Sequence, residues 1–256
     1  MLMPSLFISH GSPMIALMPG ETGPVLTRLA AQLPRPKAIV VVSAHWESND
    51  LRISSGSQPA TWHDFGGFPQ ALYELQYPAP GQPQLAADIA QRLNEAGLPA
   101  TLDAQRPFDH GTWVPLRLMY PQADIPVVQI SLPSQHGTEL ILRIGEVLQD
   151  LRAEGILLIG SGSITHNLRD MDRYAGPDSV EPWAQAFRDW VVEKLDRRDT
   201  SALLNYRQLA PNAVRSHPTD EHFLPLYFAM GAGRDFKVEH TGFAFGTLGM
   251  DIYSFA

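Results

Sequence analysis

Three stretches of the chain share one design. Residues 38–46 read AIVVVSAHW, residues 5–10 read SLFISH and residues 156–166 read ILLIGSGSITH: each apolar run breaks into small residues and then reaches a histidine. A Val/Ile-rich run such as 38–46, bounded by Pro36 and by polar residues, is a strand buried on both faces, which calls for a parallel sheet covered by helices above and below. His10, His45 and His166 then fall at the carboxyl ends of strands, the edge at which open α/β sheets bind ligands. Histidines delivered to one edge by parallel strands point the same way and approach a single ion, so the pattern predicts one metal site.

Between these runs the apolar period changes to that of helices, over residues 24–33, 83–97, 113–120, 137–153, 181–197 and 221–230. Further strands are expected at 51–55, near Thr101, at 125–132, and as closing strands at 237–240 and 246–253, the second near an edge. The helix over 24–33 crosses back, so the first two strands are parallel. Residues 56–80, dense in Gly, Pro and aromatics, form a long loop with one helical turn near Ala71, and long structured loops in compact domains tend to carry function. The alternation defines an α/β fold: a single three-layer αβα domain over residues 1–256 with a mostly parallel central sheet.

Composition narrows the partners. A net charge of −8 and the absence of any Lys/Arg run argue against nucleic acid or an anionic membrane, leaving a small molecule. With no cysteine, a metal has to be held by His, Asp, Glu or carbonyl groups. No basic segment precedes the N-terminal apolar stretch, and no apolar run approaches the roughly 20 residues that span a bilayer. The expectation is a soluble, unprocessed cytoplasmic protein, a monomer or homodimer.

The nine histidines separate by context. His10 precedes Gly-Ser-Pro, which turns the chain sharply, and His45 is flanked by Ala44 and Trp46. His166 follows a Gly/Ser turn and precedes Asn167. His222 opens a helix beside Asp220 and Glu221, either of which is a carboxylate ligand or a charge complementing the helix dipole. His110, between Asp109 and Gly111 at a helix entrance, suits a general acid or base at a pocket wall. His63, in TWHDFGGFP, is either a substrate contact or a loop histidine bonded to backbone. The aromatics from Trp62 to Phe68, Phe65 among them, with Tyr73, either stack a ring in a pocket or pack as a small core of their own. His136, His217 and His240 stand in polar or terminal contexts and read as surface residues.

The motifs HGSPM at His10, VVVSAHWE at His45, HDFGGFPQALYELQYPAPG from His63, FDHGTW at His110, GSGSITHNLR at His166 and EHFLPL at His222 together resemble the class III extradiol ring-cleaving dioxygenases. Within them they are most similar to the bacterial 4,5-DOPA dioxygenase-like branch, over nearly the whole chain. The resemblance implies a non-haem metal held by His10, His45 and His222, with His166 a further ligand or an acid/base, and His110 a second acid/base or substrate contact. His63 and Phe65 would touch substrate. The implied reaction opens a catechol such as L-DOPA with O2 to a muconate-type semialdehyde, using Fe(II). The better-studied branch resembles a two-histidine, one-carboxylate site, whereas here His222 stands in that stretch with Glu221 beside it. An all-histidine set also accepts Zn²⁺, so a zinc hydrolase and a catalytically silent binding relative are the alternatives.

Overall fold

The structure, a computed structural model, describes residues 2–172, 174–176 and 179–256. In chain order the elements are β1 (Ser5–Ser9), α1 (Thr22–Gln32), β2 (Ala38–Glu47), β3 (Leu51–Ser54), α2 (Gln70–Tyr73), α3 (Pro83–Glu95), β4 (Ala100–Asp103), α4 (His110–Met119), β5 (Val127–Leu132), α5 (Gly137–Leu148) and β6 (Ile156–Gly162). They continue as α6 (Pro182–Asp196), α7 (Thr200–Leu204), α8 (Tyr206–Leu209), α9 (Ala213–Ser216), α10 (Pro225–Ala232), β7 (Phe236–His240), β8 (Phe243–Ala244), β9 (Leu248–Gly249) and β10 (Ile252–Phe255).

The central sheet has eight strands in the order β4-β3-β5-β2-β6-β1-β10-β7, and β8 pairs with β9 separately. Strands β5, β2, β6 and β1 are parallel to one another. β10 runs antiparallel to β1 and β7, and β3 antiparallel to β5. Of the two closing strands β10 lies near the edge, one strand in, and β7 takes the edge itself. β10 carries four buried residues, IYSF, whereas β7, FKVEH, has one exposed and four half-buried positions and tolerates the edge.

The period of two along each strand feeds two cores. Val40, Val42, Val128, Ile130 and Leu158 face one side with Leu85, Ile89 and Leu93 of α3, Ile141 and Ile144 of α5 and Leu226 of α10. Ile39, Val41, Val127, Leu157 and Ile159 face the other with Val25, Leu26 and Leu29 of α1 and Trp113 and Val114 of α4. Each fully buried aliphatic side chain contributes about 1.5–3 kcal/mol, so both layers hold the strands in register. Among the described residues no helix is long and apolar enough to cross a membrane.

Two helix starts differ from the sequence reading. α4 begins at His110 because the Asp109 side chain accepts from Thr112 N and caps it. α10 begins at Pro225, and residues 221–224 form the turn before it.

Candidate metal centre

Registers Ser9↔Gly162 and Ser43↔Ser161 bring the carboxyl ends of β1, β6 and β2 side by side. β1 and β2 flank β6, roughly 10 Å apart at two strand spacings, so His10 and His45 have to meet across the middle strand. The small residues of GSGS leave that space. His10 and His45 come together over Ser161, with their Nε2 atoms 3.0 Å apart. His222 arrives from the turn before α10, whose backbone lies directly on β6: Ser163 N donates to His222 O at 2.8 Å. Glycine is required there, because a Cβ at Gly162 would sit 2.1 Å from His222 O. Ring nitrogens of His10, His45 and His222 lie within 4.8 Å of one another.

Hydrogen bonds fix two of the three tautomers. Ser161 Oγ donates to Gly111 O, so it accepts from His10 Nδ1 at 3.0 Å and leaves His10 Nε2 a bare lone pair. His222 Nδ1 donates to Glu221 Oε1 at 2.8 Å, which likewise frees Nε2. That Nε2 is buried and has no hydrogen-bond partner among the described residues. Buried polar atoms without partners are rare, and a lone pair left bare among two other histidine nitrogens fits a metal ion. Burial, then the neighbouring histidines, hold His10 and His222 well below the ordinary histidine range. Burial, with His110 adding to it and Asp109 and Asp64 opposing, takes His45 to about 4. At neutral pH all three are neutral imidazoles, the form that ligates metals.

His166 lies flat on His222, ring centroids 3.4 Å apart and planes 7° from parallel. Its amide donates to Ser216 O at 2.9 Å. Burial brings its pKa to about 4, against the pull of Glu221. His166, Glu221 and His222 also form a set whose ligand atoms lie within 4.8 Å. His110 stands against His45 at 3.9 Å between ring centroids.

Below His110, Asp109 is completely buried and gathers Ser43 Oγ at 2.7 Å, Gln129 Nε2 at 2.7 Å and Arg106 Nη2 at 2.7 Å. Arg106 is held between Trp46 and Trp62, 4.8 and 4.9 Å from their ring centres. Asp64 accepts from both the His110 amide, at 2.9 Å, and His110 Nδ1, at 3.0 Å. Burial pushes the Asp64 carboxyl up, but the His110 bonds outweigh it and the net shift is downward.

A cavity of about 600 Å³ opens over these groups, floored by His10, His45, His110, His166 and His222 and walled by Met14, Phe65, Phe68, Leu168, Phe245 and Leu248. Phe65 thus faces the cavity. His63 is set behind it, with Nε2 on Leu75 O at 3.0 Å and its ring edge-on to Phe65. The aromatics of residues 62–73 pack on one another, and Phe65 and Phe68 also line the cavity.

His217 corrects the surface reading. It is fully buried, bonds Ile164 O through Nε2 at 2.9 Å and packs on Phe187 and Phe223. With Ser216 it clamps the turn that carries His166. Asp64 and the Ser161 contact escaped the sequence reading. The spacing in HDF to DHG gave no measure of the 46-residue contact between Asp64 and His110.

A mostly parallel α/β sheet with buried neutral histidines converging at its carboxyl edge, beneath an aromatic-walled cavity, defines a metalloenzyme cleft. Residues 4–256 match the family model described as the catalytic LigB subunit of aromatic ring-opening dioxygenase. A 4,5-DOPA dioxygenase extradiol of Escherichia coli (strain K12) is 44% identical over 234 residues, covering 90% of this chain and 85% of that one. One of the same name from Beta vulgaris is 40% identical over 258 residues, 98% of this chain and 96% of that one. The crystal structure of uncharacterized protein JW3007 from Escherichia coli K12 superposes with a TM-score of 0.82 at 35% identity, over 99% of this chain and 100% of that one. The chain belongs to the LigB family of aromatic ring-opening dioxygenases. It is accordingly a non-haem metal enzyme acting on a small aromatic substrate with O2, with extradiol activity.

Proposed function

We propose that the chain, as one catalytic domain over residues 1–256, opens the ring of a catechol, L-DOPA or a close relative, beside its hydroxyl pair and releases a muconate-type semialdehyde. The observation that carries this reading is the convergence of His10, His45 and His222, two with Nε2 lone pairs freed by fixed tautomers, on the floor of an aromatic-walled cavity. These residues would hold Fe(II), which supplies a redox-active centre with open positions for both catechol oxygens and O2; Zn²⁺ fits the same imidazoles but has no redox chemistry.

The protein's own groups manage orientation and protons. Phe65 and Phe68 offer faces against which a catechol ring packs. His166 is neutral at pH 7 and accepts a proton from a catechol hydroxyl. Its stacking on His222 keeps the ring from turning away. His110, against His45 on another side of the floor, is a second acid/base: it takes a proton from the bound catechol and returns it to the opening ring. A further arrangement, in which His166 also ligates the metal, is favoured by its grouping with Glu221 and His222.

The test strips the metal, restores Fe(II) anaerobically and admits O2 with L-DOPA, catechol or protocatechuate. Oxygen uptake with a yellow product is expected with Fe(II) and not with Zn²⁺. The reading fails if no catechol supports uptake. His166→Ala should abolish turnover, and persisting activity would refute its role.

A further inference from the structure

Among the described residues, the cavity floor carries a histidine whose outward atom is set by a residue that never reaches the cavity. His110 lines the floor, whereas Asp64 is absent from the lining and lies behind it, 8% exposed at its side chain. Asp64 Oδ1 holds both the first amide of α4 and His110 Nδ1. One anchor therefore fixes both where the residue sits on the helix and how its ring is turned. A carboxylate only accepts, so Nδ1 carries the hydrogen, and in the neutral ring Nε2, across from it, is the lone pair.

The loop bearing Asp64 is itself rigidly docked. Trp62 N donates to Phe108 O at 2.8 Å, Phe108 N to Ala60 O at 2.9 Å, and Trp113 Nε1 to Trp62 O at 3.0 Å. Three hydrogen bonds thus tie the segment around Asp64 to the residues on either side of His110. An aspartate required only to cap α4 has no need of this, because Asp109 already caps that helix.

Building on the catalytic reading above, we propose that Asp64 is a positioning residue, which selects the Nδ1–H tautomer of His110 so that Nε2 meets the substrate first as a proton acceptor. Its hydrogen bonds reach the cavity only through His110, and it does not touch substrate. Its other near neighbour, His45 Nδ1 at 3.7 Å from Oδ2, lies beyond hydrogen-bond reach. The rival assignment makes Asp64 a metal ligand, since Asp64, His45 and His110 also place ligand atoms within 4.8 Å.

Asp64→Asn separates the two. The amide oxygen keeps an acceptor for the His110 backbone and for Nδ1, but the loss of the carboxylate charge weakens the bond from Nδ1–H and with it the preference for that tautomer. In the Fe(II)-loaded enzyme, metal content per chain should be unchanged, while kcat for a catechol that the wild type turns over falls about 100-fold with KM within about threefold. Added to His110→Ala, the same change should cost less than about twofold, because its effect passes through a ring no longer present. Nitrogen-15 NMR of the zinc-loaded wild type should show His110 protonated at Nδ1. Loss of metal in Asp64→Asn, an undiminished kcat, a full further loss in the His110→Ala background, or an Nε2–H signal in the wild type would each overturn the proposal. The NMR measurement needs no variant to fold. Failure of the wild type to consume O2 with any catechol refutes the catalytic reading instead, and leaves the tautomer to be decided by NMR.

Discussion

Gly162→Ala tests how His222 is placed. The added Cβ would lie 2.1 Å from His222 O and 3.1 Å from its carbonyl carbon, both in rigid backbone. Carbon and oxygen without a bond between them rest at about 3.3 Å or more, so β6 and the 221–224 turn have to separate by about 1 Å. That motion breaks the 2.8 Å bond from Ser163 N to His222 O. Overpacking of this kind costs about 1–3 kcal/mol, and the lost hydrogen bond about 1 kcal/mol more. Unfolding in urea should therefore show a loss of about 2–4 kcal/mol. His222 moves with its backbone, and a displacement of about 1 Å at a reacting geometry costs about 100-fold in kcat/KM. Chelator competition for the bound metal and oxygen uptake read the functional part. Gly176→Ala, with nothing among the described residues within 4 Å of its Cβ, is the control. Metal affinity and kcat/KM within twofold of wild type in Gly162→Ala would refute the claim that close backbone approach positions His222.

Two further outcomes follow from buried partners. Burial takes His217 to about 3 while an unfolded histidine titrates near 6.5. The native state thus binds fewer protons, and its stability is complete above pH 6.5 and lost as pH falls from there towards 3. His217→Gln keeps a donor for Ile164 O and does not titrate, so between pH 7.5 and 4.5 the wild type should lose about 2.7 kcal/mol more than the variant in chemical unfolding; equal pH dependence would contradict this. Glu221→Gln keeps an acceptor for His222 Nδ1 but removes the charge that makes the ring a better ligand, and should weaken metal binding about 10–100-fold by chelator competition.

The amino-acid pattern alone determined the layered α/β fold, the strands that deliver His10, His45 and His166 to one edge of the sheet, and the ordered motifs by which the family is recognised. These are local properties: β-branched runs make buried strands, and Ser/Gly breaks mark where they end. For Phe65 it left two roles open, a pocket wall or a small core of the loop's own. What it did not determine depends on contacts between distant segments. His217 looks like a surface residue in SHPTD, yet Phe187, from a helix thirty residues earlier, and Phe223 enclose it. The order of the closing strands was open because hydrophobic content, not chain order, decides which strand of a pair takes the edge. The tautomers of His10 and His110 depend on Ser161 and Asp64, which lie 151 and 46 residues away. A histidine's position can be read from the chain around it, but which of its nitrogens is left bare is set by whatever packing brings against the other.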